Sequence, residues 1–166
     1  EPCVRAVLSR VGPNIDSKTP VYTTGKQDVG MPDYEVVSDT MTIKGLPVGV
    51  YLVELTTDNK TIKPQRALLR VSDVYLLSQS LPHHQLRMVV VSATTGQPLP
   101  GAKIQLRKDE QSGRAYKQQV FTCNQEGEVT VTIKENRTYY ADPYTQSDKA
   151  CAMTYLNGYG FFPKEK

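Results

Sequence analysis

The chain has 166 residues, 39% of them hydrophobic and 22% charged, which is apolar material for one large domain or two small ones and too much for a disordered chain. Its net charge is only +3, and Arg66, Arg70, Arg87, Lys103 and Arg107 are interspersed with acids rather than gathered in a basic stripe, which excludes nucleic acid as a partner class. No run approaches the roughly 20 apolar residues of a membrane-spanning helix.

Eleven Pro, eleven Gly, no Trp and ten Tyr among the aromatics suit short strands, frequent turns and half-wet sheet faces. Helical spacing is nearly absent, while the strand period of two recurs along the whole chain. From the N-terminus, turns are predicted at Gly12-Pro13-Asn14, at Gly30-Met31-Pro32-Asp33 and at Leu46-Pro47-Val48-Gly49, the last leading into VYLVEL. Thr57-Asp58-Asn59-Lys60 is the next turn, and Ala67, Leu69 and Val71 alternate after it. RALLRVSDVYLLSQSL contains neither Pro nor Gly, so it is no flexible linker; strand runs into strand through Ser72-Asp73. LRMVVVSA lacks alternation and is expected to be covered on both faces. Further on, Ala102, Ile104 and Leu106 alternate with Lys103, Gln105 and Arg107, and Val129, Val131 and Ile133 with Thr130, Thr132 and Lys134. One helical turn is predicted near Asp109 to Arg114.

Turns this frequent between short alternating runs predict an all-β chain of two small antiparallel β-sandwiches of immunoglobulin or fibronectin type, one over residues 1–73 and one over 74–166. With Ser72 and Asp73 as a tight junction, the two are expected to hold a fairly fixed angle. The structural turns are assigned to Gly49, Gly96, Pro98, Pro100, Gly101 and Gly127. In TTGQPLPGAKIQL, Gly96 turns the chain, and Pro98 and Pro100 fix φ near −65° and donate no hydrogen bond, so this segment is no central strand. It is read as a crossing from one sheet to the other. In TCNQEGEV, Gly127 is expected to take φ > 0 and close a hairpin.

Residues able to carry chemistry are scarce. His83-His84 are the only histidines; adjacent strand residues point opposite ways, no third ligand is near, and a solvated loop is the simpler reading than a metal site. No G-x-S-x-G places Ser78 or Ser80 beside a base, and Gly158 and Gly160 lack the lysine and helix of a phosphate loop. Asp142 and Asp148 around Pro143-Tyr144, and Glu126 and Glu128 around Gly127, are read as turn chemistry before a weak calcium site. Cys3, Cys123 and Cys151 have no metal spacing and leave at least one thiol over. Cys123 and Cys151 fall in different predicted strands and can pair if those lie close; reduced, buried thiols are the simpler expectation. Asn59-Lys60-Thr61 and Asn136-Arg137-Thr138 match the glycosylation triplet, a pattern frequent by chance. Tyr139, Tyr140, Tyr144, Tyr155 and Tyr159, with Phe161 and Phe162, are expected to cap the second sandwich and meet a following domain. No enzyme activity, cofactor, metal or small-molecule substrate is expected, and the chain by itself is expected to be monomeric.

LPVGVYLVEL followed by RALLRVSDVYLL, and MVVVSATTGQPLPGAKIQL with FTCNQEGEVTVTI beyond it, carry a resemblance. The Pro-x-Gly-x-Tyr step and the Thr-Gly-x-Pro-x-x-Gly-Ala corner resemble those of macroglobulin-type domains, and the chain resembles a tandem of two N-terminal macroglobulin-like domains from the bacterial alpha-2-macroglobulin family. Residues 4 to about 34 match poorly. The corner is shared with carboxypeptidase regulatory-like domains and adhesin repeats, which face the same corner problem without sharing a function. The resemblance implies an exported parent in the periplasm or cell envelope, for instance a lipoprotein, that traps proteases through a bait segment and in some members a thioester. The thioester pattern Cys-x-x-Gln is not met here: Cys123 is followed by Asn124-Gln125-Glu126 and Cys151 by Ala152-Met153-Thr154. The fragment is therefore expected to be scaffold, with neighbouring domains of a longer chain as partners and proteases met only through the parent. The alternatives are a stalk, adhesion or carboxypeptidase regulatory-like accessory module of a cell-surface protein and, weakest, an enzyme or inhibitor acting alone.

Overall fold

The computed structural model describes residues 3–11, 18–24, 27–28, 38, 40–43, 45–108, 118–133 and 138–157. The chain divides into two units, Glu1–Val71 and Ser72–Lys166. It is all β, with three antiparallel sheets and no helix among the described residues. The turn at Gly12-Pro13-Asn14, the turn at Gly30 to Asp33, the helical turn at Asp109 to Arg114, Asn136 and the C-terminal GYGFFPKEK lie outside the described residues.

The first unit holds β1 (Cys3–Val11), β2 (Lys18–Thr23), β3 (Gln27–Asp28), β4 (Gly49–Thr57) and β5 (Gln65–Val71). They form one five-stranded sheet in the order β2-β1-β4-β5, with β3 pairing the start of β1. The register runs from Val4 opposite Thr57 to Arg10 opposite Tyr51, and from Gly49 opposite Val71 to Leu55 opposite Gln65. Ala6, Leu8 and Tyr51 are buried on it. Pro20 sits in the edge strand β2, the kind of place in a sheet where proline is tolerated, and the β1–β2 register slips beside it.

This unit explains why Pro, Gly and Tyr stand at alternate positions in PVGVY. The buried Tyr51 hydroxyl turns back and donates to the Pro47 carbonyl at 2.6 Å, four residues upstream, the geometry of a tyrosine corner. Arg10 donates through Nη2 to the Val48 carbonyl at 3.2 Å. Gly49 lies beneath both: a Cβ there would stand 3.3 Å from Arg10 Nε and 3.4 Å from the Tyr51 hydroxyl oxygen. Gly49 opens β4 with no left-handed φ, so it supplies room rather than the turn expected of it.

The second unit holds β6 (Val74–Leu81), β7 (Gln85–Ser92), β8 (Lys103–Lys108), β9 (Gln119–Thr122), β10 (Glu128–Thr132), β11 (Thr138–Tyr144) and β12 (Thr154–Asn157). β10-β7-β6 make a three-stranded sheet and β12-β11-β8-β9 a four-stranded one. Leu76, Met88 and Val90 from the first sheet and Ile104, Leu106, Ala141 and Leu156 from the second share one core, so the unit is a sandwich. Each fully buried aliphatic chain contributes about 1.5–3 kcal/mol.

β7 departs from expectation. Leu86, Met88, Val90 and Ser92 are buried, whereas Arg87 is exposed and Val89 and Val91 are half-covered. The alternation is present; valines on the outward face hide it. As the middle strand of its sheet, β7 has its outward side chains flanked by both neighbours, where β-branched residues pack well. His83 and His84 stand in the β6–β7 turn, exposed, with φ of 60° and 57°, a region in which histidine is enriched among non-glycine residues. The His84 carbonyl accepts from the Ile133 amide at 2.7 Å.

Tyr51→Phe leaves the ring in place and strips the Pro47 carbonyl of its donor. Chemical denaturation should show the first unit destabilised by about 0.5–1.5 kcal/mol, with the second unit unchanged.

Candidate functional site

The corner from residue 92 to residue 102 carries the chain from the three-stranded sheet to the four-stranded one. Gly96, at φ 72°, donates to the Ser92 carbonyl at 2.8 Å, closing the first bend. The chain then runs antiparallel to the end of β7: Ser92 donates to the Gln97 carbonyl at 2.8 Å and Leu99 donates to the Val90 carbonyl at 2.9 Å. Between those bonds stands Pro98, opposite Val91, at a position where the pairing uses no amide. Leu99-Pro100-Gly101-Ala102 is the second bend. Ala102 donates to the Leu99 carbonyl at 3.2 Å, with Pro100 second and Gly101 third at φ 72°, the residue order of a type II turn. Cys123 then exchanges backbone bonds with Gly101 and Ala102, at 3.2 and 2.8 Å, and carries the β8–β9 ladder to the corner.

Gly127 is what the corner closes on. It has φ 70°, and its carbonyl accepts from the Val90 amide at 2.8 Å. A Cβ on it would lie 2.7 Å from the Val90 carbonyl oxygen, 2.9 Å from the Leu99 nitrogen and 3.1 Å from the Pro98 Cβ. It would enter the hydrogen bond that holds the crossing segment to β7. Gly96 and Gly101 have nothing within 4 Å of the same position, so only their backbone conformation calls for glycine. Asn124 shapes the loop before Gly127, its Oδ1 accepting from the Glu126 and Glu128 amides at 3.0 Å each. Glu128 accepts from Arg87 Nε at 2.8 Å across the sheet.

The junction residues Ser72 and Asp73 belong to a network within the second unit. Asp148, buried in the loop after β11, accepts from the Ser72 hydroxyl at 3.0 Å, from the Asp73 amide at 2.8 Å and from the Ala150 amide at 3.1 Å. The Ser72 oxygen in turn accepts from the Val74 amide at 3.1 Å. Asp73 reaches the other way. Its Oδ1 accepts from the Thr94 amide at 2.9 Å and the Thr94 hydroxyl at 2.7 Å, and its Oδ2 from the Ser92 hydroxyl at 2.7 Å. The Thr94 hydroxyl first, then that of Ser92 and the Thr94 amide, hold the Asp73 carboxyl below the usual carboxylate range. The network thus ties the start of β6 to the beginning of the corner and to the loop after β11. Nothing in the sequence signalled Asp148 as its centre, since it stands 76 residues from Ser72.

The remaining candidates are structural in their surroundings. Cys123 is a free thiol, and both Cys123 and Cys151 lie in loops, not in the strands expected. Cys123 is in the core, and burial pushes its thiol up. Cys151 packs on the same core. Asp142 lies within β11, not in a loop, and accepts from Arg107 Nη2 at 3.3 Å. Tyr140 and Tyr155 meet edge to face, 5.6 Å apart, with the Arg107 guanidinium 6.0 Å from the Tyr140 ring; Tyr139 packs on the core. Asn59 Oδ1 accepts from the Thr61 amide at 3.0 Å and the Thr61 hydroxyl at 2.7 Å in an exposed turn. Among the described residues no three His, Cys, Asp or Glu side chains are grouped to hold a metal ion, and no helix is long and apolar enough to cross a membrane.

No protein-family model and no curated protein sequence matches the chain. Its fold matches that of a crystal structure of native alpha-2-macroglobulin from Escherichia coli spanning domains NIE-MG1. That match has 17% identity and a TM-score of 0.59, over 95% of this chain and 84% of that one. A longer structure of the same protein, spanning MG0-NIE-MG1, matches with 18% identity and a TM-score of 0.62 over 93% of this chain. The chain spans about half of that structure, 54% of its length. At these identities the likeness is one of fold.

The close approach at Gly127 separates it from Gly96 and Gly101. Gly101→Ala should cost about 1–2 kcal/mol for its backbone conformation alone. Gly127→Ala adds a clash with backbone atoms and should cost about 2–5 kcal/mol, read from denaturant midpoints of the second unit. Acid should act through Asp73. Its depressed carboxyl stabilises the fold above the ordinary carboxylate range, and that stabilisation is lost as pH falls through the lowered value. Urea midpoints taken from about pH 5 down to about pH 2 should therefore fall less steeply for Asp73→Asn than for the parent chain.

Proposed function

We propose that this chain is a non-catalytic structural tandem from a bacterial alpha-2-macroglobulin-like protease-trapping protein, with the first unit in the place of NIE and the second in the place of MG1. The observation that carries the reading is the fold likeness to the NIE-MG1 stretch across nearly the whole chain. The use of the polar side chains supports it. The carboxylates of Asp73 and Asp148 and the hydroxyls of Ser72, Ser92 and Thr94 are engaged in holding backbone at the corner and at the start of β6. Such groups set the geometry of a β module and leave the chemistry to other parts of a longer chain. Neighbouring domains are then its direct partners, the parent is exported to the periplasm or cell envelope, and proteases are met only through the parent.

Incubated with proteases of several classes acting on a macromolecular substrate, the isolated chain should leave proteolysis unchanged. Clear inhibition by this piece alone would overturn the scaffold reading. The parent gene product provides the second test. A very long chain with a bait segment supports protease trapping, while tandem copies of this unit or an attached membrane barrel would refute it in favour of display at a cell surface.

A further inference from the structure

The edges of the described sheets are not equally guarded. An edge strand presents unpaired backbone groups and is ordinarily blunted by charge, proline or shortness, because otherwise it templates pairing with another chain. β2 carries Pro20, and β5 carries Arg66 and Arg70. β10 has five residues and Glu128, and β9 and β12 have four residues each. β6 has none of these devices. It is eight residues long, VYLLSQSL, without charge, proline or glycine, and among the described residues it pairs with β7 alone. Its outward face is apolar in its first half, with Tyr75 55% and Leu77 50% exposed, and turns polar at Gln79. Val91 and Val89 stand opposite them on β7 and extend that face.

We propose that the outer edge of β6 is a strand-pairing site and that its occupant is a second copy of this chain, paired antiparallel about a two-fold axis at Leu77. The unpaired edge specifies an extended strand as the occupant. The lack of charge favours a copy, because in an isologous pair every charge would meet its like, which is destabilising. A two-fold axis at Leu77 sets Leu77 against its counterpart and Tyr75 against Gln79. Residues of the same parity then oppose each other, so outward side chains stay outward and the two three-stranded sheets join as one six-stranded sheet. One strand pair with few side chains lies at the small end of protein interfaces, below about 1,200 Å², so the dimer is weak and depends on concentration. This departs from the monomer expected from the sequence alone. This inference does not rest on the macroglobulin reading.

Sedimentation equilibrium of the whole chain across about two decades of concentration tests it. The weight-average mass of the parent chain should climb towards twice that of the monomer. Leu77→Lys and Leu77→Glu change a half-exposed side chain, so their circular dichroism and melting should match the parent, while each stays monomeric throughout. Mixing the two places opposite charges at the axis and should restore the rise in mass. A parent chain that stays monomeric, a rise that persists in Leu77→Lys, or a mixture that stays monomeric would each overturn the proposal.

Discussion

Val90 has both peptide groups committed across two neighbours. Its amide donates to Gly127 and its carbonyl accepts from Leu99, so one residue of β7 ties the β9–β10 loop to the crossing segment. β7 and the crossing segment lie so close to that loop that Gly127 has to lack a side chain. The sandwich of the second unit follows from this contact. It sets where the chain leaves the three-stranded sheet, and hence where Ile104 and Leu106 meet Met88 and Val90 in the core.

A second set of bonds fixes where the same unit begins. Ser72 and Asp73 stand ahead of β6, and their polar groups are shared between Asp148 and the Ser92–Thr94 stretch at the start of the corner. The corner and the start of the unit are thus held by overlapping residues: Ser92 donates its hydroxyl to Asp73 and its amide to Gln97. A disturbance at one is felt at the other, because hydrogen bonds in a shared network do not contribute independently. The first unit has its own device, Tyr51 over Gly49, built from residues close together in the chain.

What could be read in advance was local. Pro100-Gly101 and the glycine ending CNQEG announce bends because each needs only its own backbone angles. The strands around Ile104 and Val131 were legible from alternation, and the all-β class followed from them. β7 was misjudged, because valine on a half-covered outward face looks the same in sequence as valine in a core. Gly49 was taken for a turn residue although its purpose is space for Arg10 and Tyr51, partners 39 and two positions away. Asp148 was weighed as a loop acid and its true partners were missed, since a contact over 76 residues leaves no periodic trace. The macroglobulin resemblance rested on the two local motifs, and the fold likeness extends it over nearly the full chain.

The β6–β7 turn has a quieter implication. Two consecutive histidines there adopt a left-handed backbone that L-residues enter only at an energetic cost, on the order of 1 kcal/mol apiece. Asparagine or glycine would relax that tension without touching the core, so the hairpin tip holds a reserve of thermal robustness that this sequence has left unclaimed.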